Sequence, residues 1–199
     1  MEIVLASANL HKLREFREML RPFSHLEVLT LRHFSAYTAP EETGQTFREN
    51  AILKAEHAAR HLGCWVLADD SGLVVPTLGG KPGVLSRRYA GPDATDVENC
   101  RELLRDMSHW KRGDERAAYY ECCLALAKPT GLQKCVSGIC EGYLATETKG
   151  RHGFGYDPLF IKNDYEKTFA ELDDTIKNRI SHRRKAFERL AVFLENLRE

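Results

Sequence analysis

The acidic pair best placed for chemistry is Asp69-Asp70, within Ala68-Asp69-Asp70-Ser71-Gly72-Leu73 and directly after the apolar run Cys64–Ala68. Two adjacent carboxylates are costly to hold ionised unless a cation or a proton offsets them. Ligands of open α/β sheets gather at the carboxyl ends of strands, which is where this pair falls. Neighbouring side chains of an extended chain point to opposite faces, so only one of the two should face a site squarely. A turn held by aspartate side chains is the structural alternative. A second acidic pair, Glu41-Glu42, precedes Thr43-Gly44 and the segment Phe47-Arg48-Glu49-Asn50 with Lys54. Paired acids in a loop can hold magnesium or can simply be solvated. Asn50 and Lys54 lie at i, i+4 and can converge on one ligand, while Glu49 can do no more than cap its helix.

Three further segments suit an anionic, aromatic ligand. Ser7-Ala8-Asn9-Leu10-His11-Lys12 sits between a strand and a helix, where free N–H groups and the positive dipole end cradle phosphate. It is not a Walker A loop, and the plain reading is a capped helix with a solvated lysine. Gly153-Phe154-Gly155-Tyr156-Asp157-Pro158 lacks the third glycine of a dinucleotide fingerprint, but its glycines permit close backbone approach and Phe154 offers a face for a base. Lys177 with Ser181-His182-Arg183 can hold phosphate or read a base edge, or form a solvated helix face. Other signals carry less. Glu56-His57 with His61 is not the zinc motif H-E-x-x-H, although histidines at i, i+4 can share a metal. Ser181-His182 is no catalytic pair, because adjacency in sequence does not make nucleophile–base geometry.

The elements that must position these residues follow from periodicity and capping. Glu2–Ala6 reads as a strand, and Leu13, Phe16 and Leu20 recur at helical spacing after it. Leu26–Leu31 reads as a second strand and residues 35–45 as loop. Thr46-x-x-Glu49 is a capping box opening an alanine-rich helix that Gly63 ends after Leu62. Cys64–Ala68 and Leu73–Val75 are extended, with Asp69–Gly72 between them. Asp93–Met107 reads as a helix. Arg116–Ala127 and Cys135–Thr148 form an antiparallel ribbon through Pro129-Thr130-Gly131, and Asp174–Leu197 is one closing helix or two short pieces. The class is α/β, with strands alternating with helices plus one long hairpin.

The chain has 199 residues, enough for one sizeable domain spanning 1–199, or two lobes sharing a core. Lys plus Arg equals Asp plus Glu, 29 against 29, which argues against a binder of nucleic-acid polymers. No signal core and no run of bilayer-spanning length is present, so no membrane partner is expected and a cytoplasmic setting is. The six cysteines should be reduced there, and without a C-x-x-C pair they read as small core or strand residues.

The motifs are weak singly, but their order is informative. Ser-x-Asn-x-x-Lys, Glu-Glu-Thr-Gly-x-Thr-Phe-x-Glu-Asn-Ala-x-x-Lys-Ala, Ala-Asp-Asp-Ser-Gly-Leu, Gly-Phe-Gly-Tyr-Asp-Pro-x-Phe and Ser-His-Arg follow one another from about Ile3 to Leu194. In this order the chain resembles the inosine triphosphate pyrophosphatase family, in particular its bacterial branch that clears non-standard purine nucleotides. The resemblance implies a long mixed β-sheet flanked by helices, two lobes around a central nucleotide-binding cleft, and a homodimer. It implies Mg2+-dependent cleavage of ITP, dITP or XTP between the α- and β-phosphates, giving a monophosphate and pyrophosphate. By matching position, Ser7, Ala8, Asn9, Leu10, His11 and Lys12 would form the phosphate loop. Glu41 or Glu42, with Asp70, would serve magnesium; Asp70 would also be the general base and Ser71 a substrate contact. Phe154, Gly155, Tyr156, Asp157, Lys177, His182 and Arg183 would hold the nucleotide, with Arg183 and His182 as donors that read the base. Lys12 and Lys54 would stabilise departing pyrophosphate. One departure is Ala8, where the family has glycine: alanine loses the freedom to take positive φ. A pyrophosphatase for other modified nucleotides, or a non-catalytic nucleotide-binding module, is the rival reading.

Overall fold

The computed structural model describes residues 1–111 and 113–197. It is a mixed α/β fold built on a six-stranded sheet in the order β2-β1-β3-β4-β5-β6. The strands are β1 (Glu2–Leu5), β2 (Glu27–Thr30), β3 (Trp65–Val74), β4 (Ala117–Lys128), β5 (Gly131–Leu144) and β6 (Phe160–Lys162). The helices are α1 (Leu10–Leu20), α2 (Phe47–Leu62), α3 (Asp96–Asp106), α4 (Asp174–Ile180) and α5 (His182–Glu195). β1 pairs in parallel with β2 and β3, so each connection needs a crossover, which α1 and α2 supply. β4 and β5 are joined by Pro129-Thr130 and form the expected hairpin, with β6 antiparallel to β5. Among the described residues no helix is long and apolar enough to cross a membrane.

The chain divides into two compact units: Met1–Asp70 with Cys122–Gly138 and the segment from Arg183 onward, and Ser71–Glu121 with Ile139–His182. β3, β4 and β5 each contribute residues to both units. Each unit has its own apolar cluster. In the first, Leu13, Phe16 and Leu20 of α1 pack with Ile3 and Leu5 of β1, Leu67 of β3, Leu124 and Leu126 of β4, and Phe187, Leu190 and Leu194 of α5. In the second, Leu73, Val75, Leu103, Met107, Tyr120, Leu159, Phe160 and Phe169 cluster. Burial of each such side chain contributes about 1.5–3 kcal/mol.

Three local points differ from the sequence reading or add to it. Asp69–Gly72 is not a break: β3 runs unbroken from Trp65 through Val74, with Cys64 outside it. The burial of every residue from Val66 to Asp70 keeps this backbone in the ladder, where a turn would leave its polar groups unpaired. Of the two forms read for the closing segment, the structure has two helices, because Ser181 is extended (φ −71°, ψ 159°) and ends α4. The short strand β6 carries no pattern of its own and forms only because Tyr143 and Leu144 pair with Ile161 and Phe160. The capping box at Thr46 and Glu49, and the end of α2 at Gly63, are as read. All six cysteines are free thiols, and Cys100, Cys122, Cys123 and Cys140 are buried.

The pairing of β6 depends on a bare backbone at Gly142. A Cβ there would lie 2.2 Å from the Ile161 carbonyl oxygen and 2.7 Å from Phe160 Cζ. Gly142→Ala should cost about 1–3 kcal/mol, the range for overpacking, and lower the melting temperature by roughly 2–12 °C for a chain of this size. A melt within 1 °C of the parent would contradict the close approach.

Candidate active site

The acidic pair lies in the first unit. β1 and β3 are in register with Leu5 opposite Leu67, and Ala6 N–H donates to the Leu67 carbonyl. The chain leaving β1 therefore runs beside Asp69, and α1 starts there. Asn9 caps α1, its Oδ1 accepting from the N–H groups of His11 and Lys12 at 2.9 and 3.2 Å. Ser7 Oγ accepts from Asn9 N–H. Ala8 causes no strain: among the described residues Asp164 is the non-glycine residue with positive φ. Ala8, Leu10 and His11 are exposed, while Lys12 turns inward and its ammonium lies 2.7 Å from Asp69.

Strand geometry sends the two carboxylates apart, as expected. Asp69 is met by Lys12 and, at 3.7 Å, by the Arg183 guanidinium. Asp70 is met by Lys54 Nζ at 3.0 Å and Asn50 Nδ2 at 3.2 Å. Asn50 and Lys54 thus converge on one partner, as their i, i+4 spacing allows. Lys54 also donates to Glu42 at 2.8 Å, which decides between the loop acids: Glu42 joins the cluster and Glu41 is exposed. Asn50 holds the same loop, its Oδ1 accepting from Gly44 N–H at 2.8 Å.

Arg183 is a buried residue of the first unit. It is 1% exposed and pairs with Glu15 and Asp69 within the first unit. Glu15 was not singled out from sequence, and its partner lies 168 residues away. Nothing local marks a glutamate on an amphipathic helix for burial.

The adjacent carboxylates differ in proton affinity. Burial opposes ionisation of Asp69, but Lys12, Arg183 and Lys54 outweigh it and hold the carboxyl well below its usual range. Burial raises Asp70; Lys54 and Lys12 offset this only in part, and Glu42 adds to the rise. Burial works against the charge on Lys54, yet Asp70, Asp69 and Glu42 together keep it firmly protonated. Asp69 is therefore a fixed anion and Asp70 the more basic of the two.

A magnesium ion suits this donor set. Glu42 and Asp70 both bring carboxylate oxygens within 3.0 Å of one cationic group, the Lys54 ammonium. Magnesium is held through one or two carboxylates and substrate phosphates rather than a full protein cage. No group of three or more His, Cys, Asp or Glu that could hold a metal ion occurs among the described residues.

The remaining residues form a cluster in the second unit. Asp157 accepts from Phe154 N–H at 3.0 Å, from Tyr120 at 3.2 Å and from Lys177 at 2.7 Å. This closes Gly153–Asp157 into a turn. Gly153 has φ +75° and a Cβ there would lie 2.1 Å from Asp157 Oδ2, so only glycine fits. Lys177 Nζ lies 4.5 Å from the Phe154 ring centroid, and His182 stacks on Tyr120 at 4.7 Å. Gly155 N–H donates to Asp96. Tyr156 is buried and its hydroxyl donates to the Ser86 carbonyl, which fixes the loop and leaves that hydroxyl engaged. Ser71, half-buried, follows Asp70 on β3. Tyr120 is a member that sequence reading did not select.

The first unit thus holds two carboxylates split in basicity with two lysines, and the second an aromatic loop with a lysine over its ring. The profile of the Ham1 family matches residues 3–193. The chain belongs to the Ham1 family. It is 67% identical to a dITP/XTP pyrophosphatase of Protochlamydia amoebophila (strain UWE25), over 100% of both chains. It is 46% identical to a dITP/XTP pyrophosphatase of Chlamydia caviae, over 100% of this chain and 97% of that one. Among solved structures, a HAM1 protein from Coxiella burnetii superposes with TM-score 0.89 at 43% identity, covering 99% of this chain and 100% of that one. The Staphylococcus aureus Ham1 protein gives TM-score 0.88 at 40% identity over 98% of each. The resemblance read from the ordered motifs thus holds over the full length of this Ham1 family member.

The split between the carboxylates has a stability consequence. The folded pKa of Asp69 is depressed, so its ion pairs stabilise the fold above the unfolded value of about 4, and that contribution is lost as pH falls through the folded value. Asp69→Asn at pH 7 should cost about 3–5 kcal/mol, as for breaking a buried pair. The folded pKa of Asp70 is raised, so its ionised form costs stability above about pH 4. Asp70→Asn should leave stability within about 1 kcal/mol of the parent or improve it. Urea denaturation of both variants checks this, and equal losses would contradict the assigned roles.

Proposed function

We propose that this chain is a magnesium-dependent nucleoside triphosphate pyrophosphatase acting on non-standard purine nucleotides such as dITP, XTP and ITP. The reading includes a cytoplasmic setting and a homodimer. The observation that carries it is the convergence of Glu42 and Asp70 on Lys54, with Asn50 also donating to Asp70 and Asp70 the more basic of two adjacent buried carboxylates. The relatives' shared name, dITP/XTP pyrophosphatase, supports it.

Glu42 and Asp70 would hold magnesium, which when bound supplies charge neutralisation to the phosphate oxygens. Asp70 orients a water and takes its proton. The water oxygen bonds to the α-phosphorus, the bond to the α–β bridging oxygen breaks, and its electron pair leaves on pyrophosphate. Lys54 and Lys12 counter the charge that accumulates on the departing group. Asp69 takes no proton; it holds Lys12 in place. In the second unit Phe154 offers an aromatic face, Lys177 a charge, and His182 a hydrogen-bond donor suited to the carbonyl at position 6 of hypoxanthine and xanthine. Adenine presents an amino group there, and a donor facing a donor leaves both unpaired. Arg183, engaged with Glu15 and Asp69, acts by fixing Asp69.

Incubation with magnesium and a panel of triphosphates tests the reading. Inosine and xanthosine triphosphates should give monophosphate and pyrophosphate, with adenosine and guanosine triphosphates slower by at least about 100-fold. Release of orthophosphate and diphosphate would overturn the bond assignment, and no turnover of any nucleotide would leave a binding module instead.

The base assignment has its own readouts. Asp70→Asn should lower turnover by at least about 100-fold. Because the raised pKa of Asp70 means that the base form disappears as pH falls through it, kcat/KM should decline on an acid limb above the ordinary carboxylate value of about 4. A profile flat down to pH 4 would contradict Asp70 as base.

A further inference from the structure

The face of α2 that carries the site continues beyond it. Asn50, Lys54, His57 and His61 are spaced i, i+4, i+7 and i+11, a single stripe along the helix. The loop before α2 runs antiparallel to that stripe and bonds to it at three levels. Gly44 bonds to Asn50 at 2.8 Å, Glu42 to Lys54 at 2.8 Å, and the Tyr37 hydroxyl to His57 Nδ1 at 2.9 Å. The first two levels belong to the site already described, and the third lies outside it.

The third level is built as an anchor. The Tyr37 ring packs on His57 at 5.6 Å and edge-on to His61 at 6.0 Å. His57 and His61 stack at 4.1 Å with 29° between their planes. His61 Nδ1 lies 2.8 Å from the His57 carbonyl and must donate to it, which fixes the His61 ring. His57 is thereby supported from below while it bonds Tyr37. Tyr37 N–H donates to the Phe34 carbonyl, so the chain turns at the anchor before running towards Glu42. Between Tyr37 and Gly44 the loop has no regular structure, and the half-exposed Glu42 meets the long, flexible side chain of Lys54.

We infer that Tyr37 and His57 are positioning residues for Glu42: their hydrogen bond fixes the upstream end of the loop, so that the Glu42 carboxylate is presented beside Asp70 before metal arrives. The inference rests on the reading of Glu42 as a metal ligand. Without the anchor, the loop carrying Glu42 samples more conformations, and the entropy of ordering it is charged against metal affinity. The effect is therefore confined to the metal requirement. Tyr37 and His57 touch no reacting group.

The test is the magnesium dissociation constant by isothermal titration calorimetry, measured together with the magnesium concentration giving half-maximal hydrolysis of inosine triphosphate and with turnover at saturating magnesium. Tyr37→Phe keeps the ring and removes the hydroxyl; His57→Leu removes the bond from the other side. Each should raise the dissociation constant and the half-saturating concentration about three- to tenfold, the range carried by one neutral hydrogen bond, with turnover recovering at high magnesium. His57→Asn, whose amide reaches the Nδ1 position, should stay within about twofold of the parent, as one retained bond requires. In a Glu42→Gln background, Tyr37→Phe should add no further shift, because residues acting through one group are not additive. A full additional shift there, an unchanged metal requirement in Tyr37→Phe, or a turnover loss that magnesium does not restore would each overturn the inference. If Glu42→Gln itself leaves the metal dependence unchanged, the assignment of Glu42 has failed, a result distinct from failure of the anchor. Urea midpoints distinguish folding defects; should His57→Leu unfold, Tyr37→Phe and His57→Asn still decide the matter.

Discussion

Two ionisable carboxylates on consecutive residues of a buried strand are the constraint around which the first unit is organised. Extended backbone places Asp69 and Asp70 on opposite faces of β3, so each pairs directly with its own lysine. Each face needs its own compensation, because an unpaired buried carboxylate would cost several kcal/mol or take up a proton. Lys12 and Arg183 answer on one side, Lys54 and Asn50 on the other.

The suppliers of that compensation come from separate parts of the chain. Lys12 arrives because β1 pairs in register with β3 and α1 starts where β1 ends. Asn50 and Lys54 share one face of α2, whose start is fixed by the Thr46–Glu49 capping box. Arg183 comes from the start of α5 and carries Glu15 of α1 as its own counter-ion. The two sides are unequal. Asp69 faces two cations and is locked as an anion, while Asp70 shares its lysine with Glu42 and retains basicity. Neighbouring carboxylates pushed apart in proton affinity are the usual arrangement where one group is structural and the other transfers protons.

In the second unit the same economy applies to a single carboxylate. Asp157 binds the Phe154 backbone, Tyr120 and Lys177 together, so the loop, a strand of the sheet and α4 are tied through one buried side chain. The lysine that neutralises Asp157 also lies against the Phe154 ring.

Much of this was legible in the residues. The capping box, the end of α2 at Gly63, the hairpin and the motif-bearing segments follow from local rules: short-range sterics, hydrogen bonding within a few residues, and alternation along a strand. The divergence of Asp69 and Asp70 and the convergence of Asn50 and Lys54 also follow from element geometry alone. The family resemblance, carried by motif order, needed no structure either. Other features depended on contacts between distant residues. That β3 continues through the acidic pair was decided by burial of its backbone. That Glu42 rather than Glu41 joins the site depends on which way an irregular loop lies on α2, for which no repeat exists. Glu15 and Arg183 are separated by 168 positions, and Asp157 meets Tyr120 across 37. The sequence by itself determined which groups could carry charge and on which face of each element they stand. The tertiary structure alone decided which charges are buried together, because the energy of an ion pair depends on distance and desolvation, and neither is a property of a local stretch of chain.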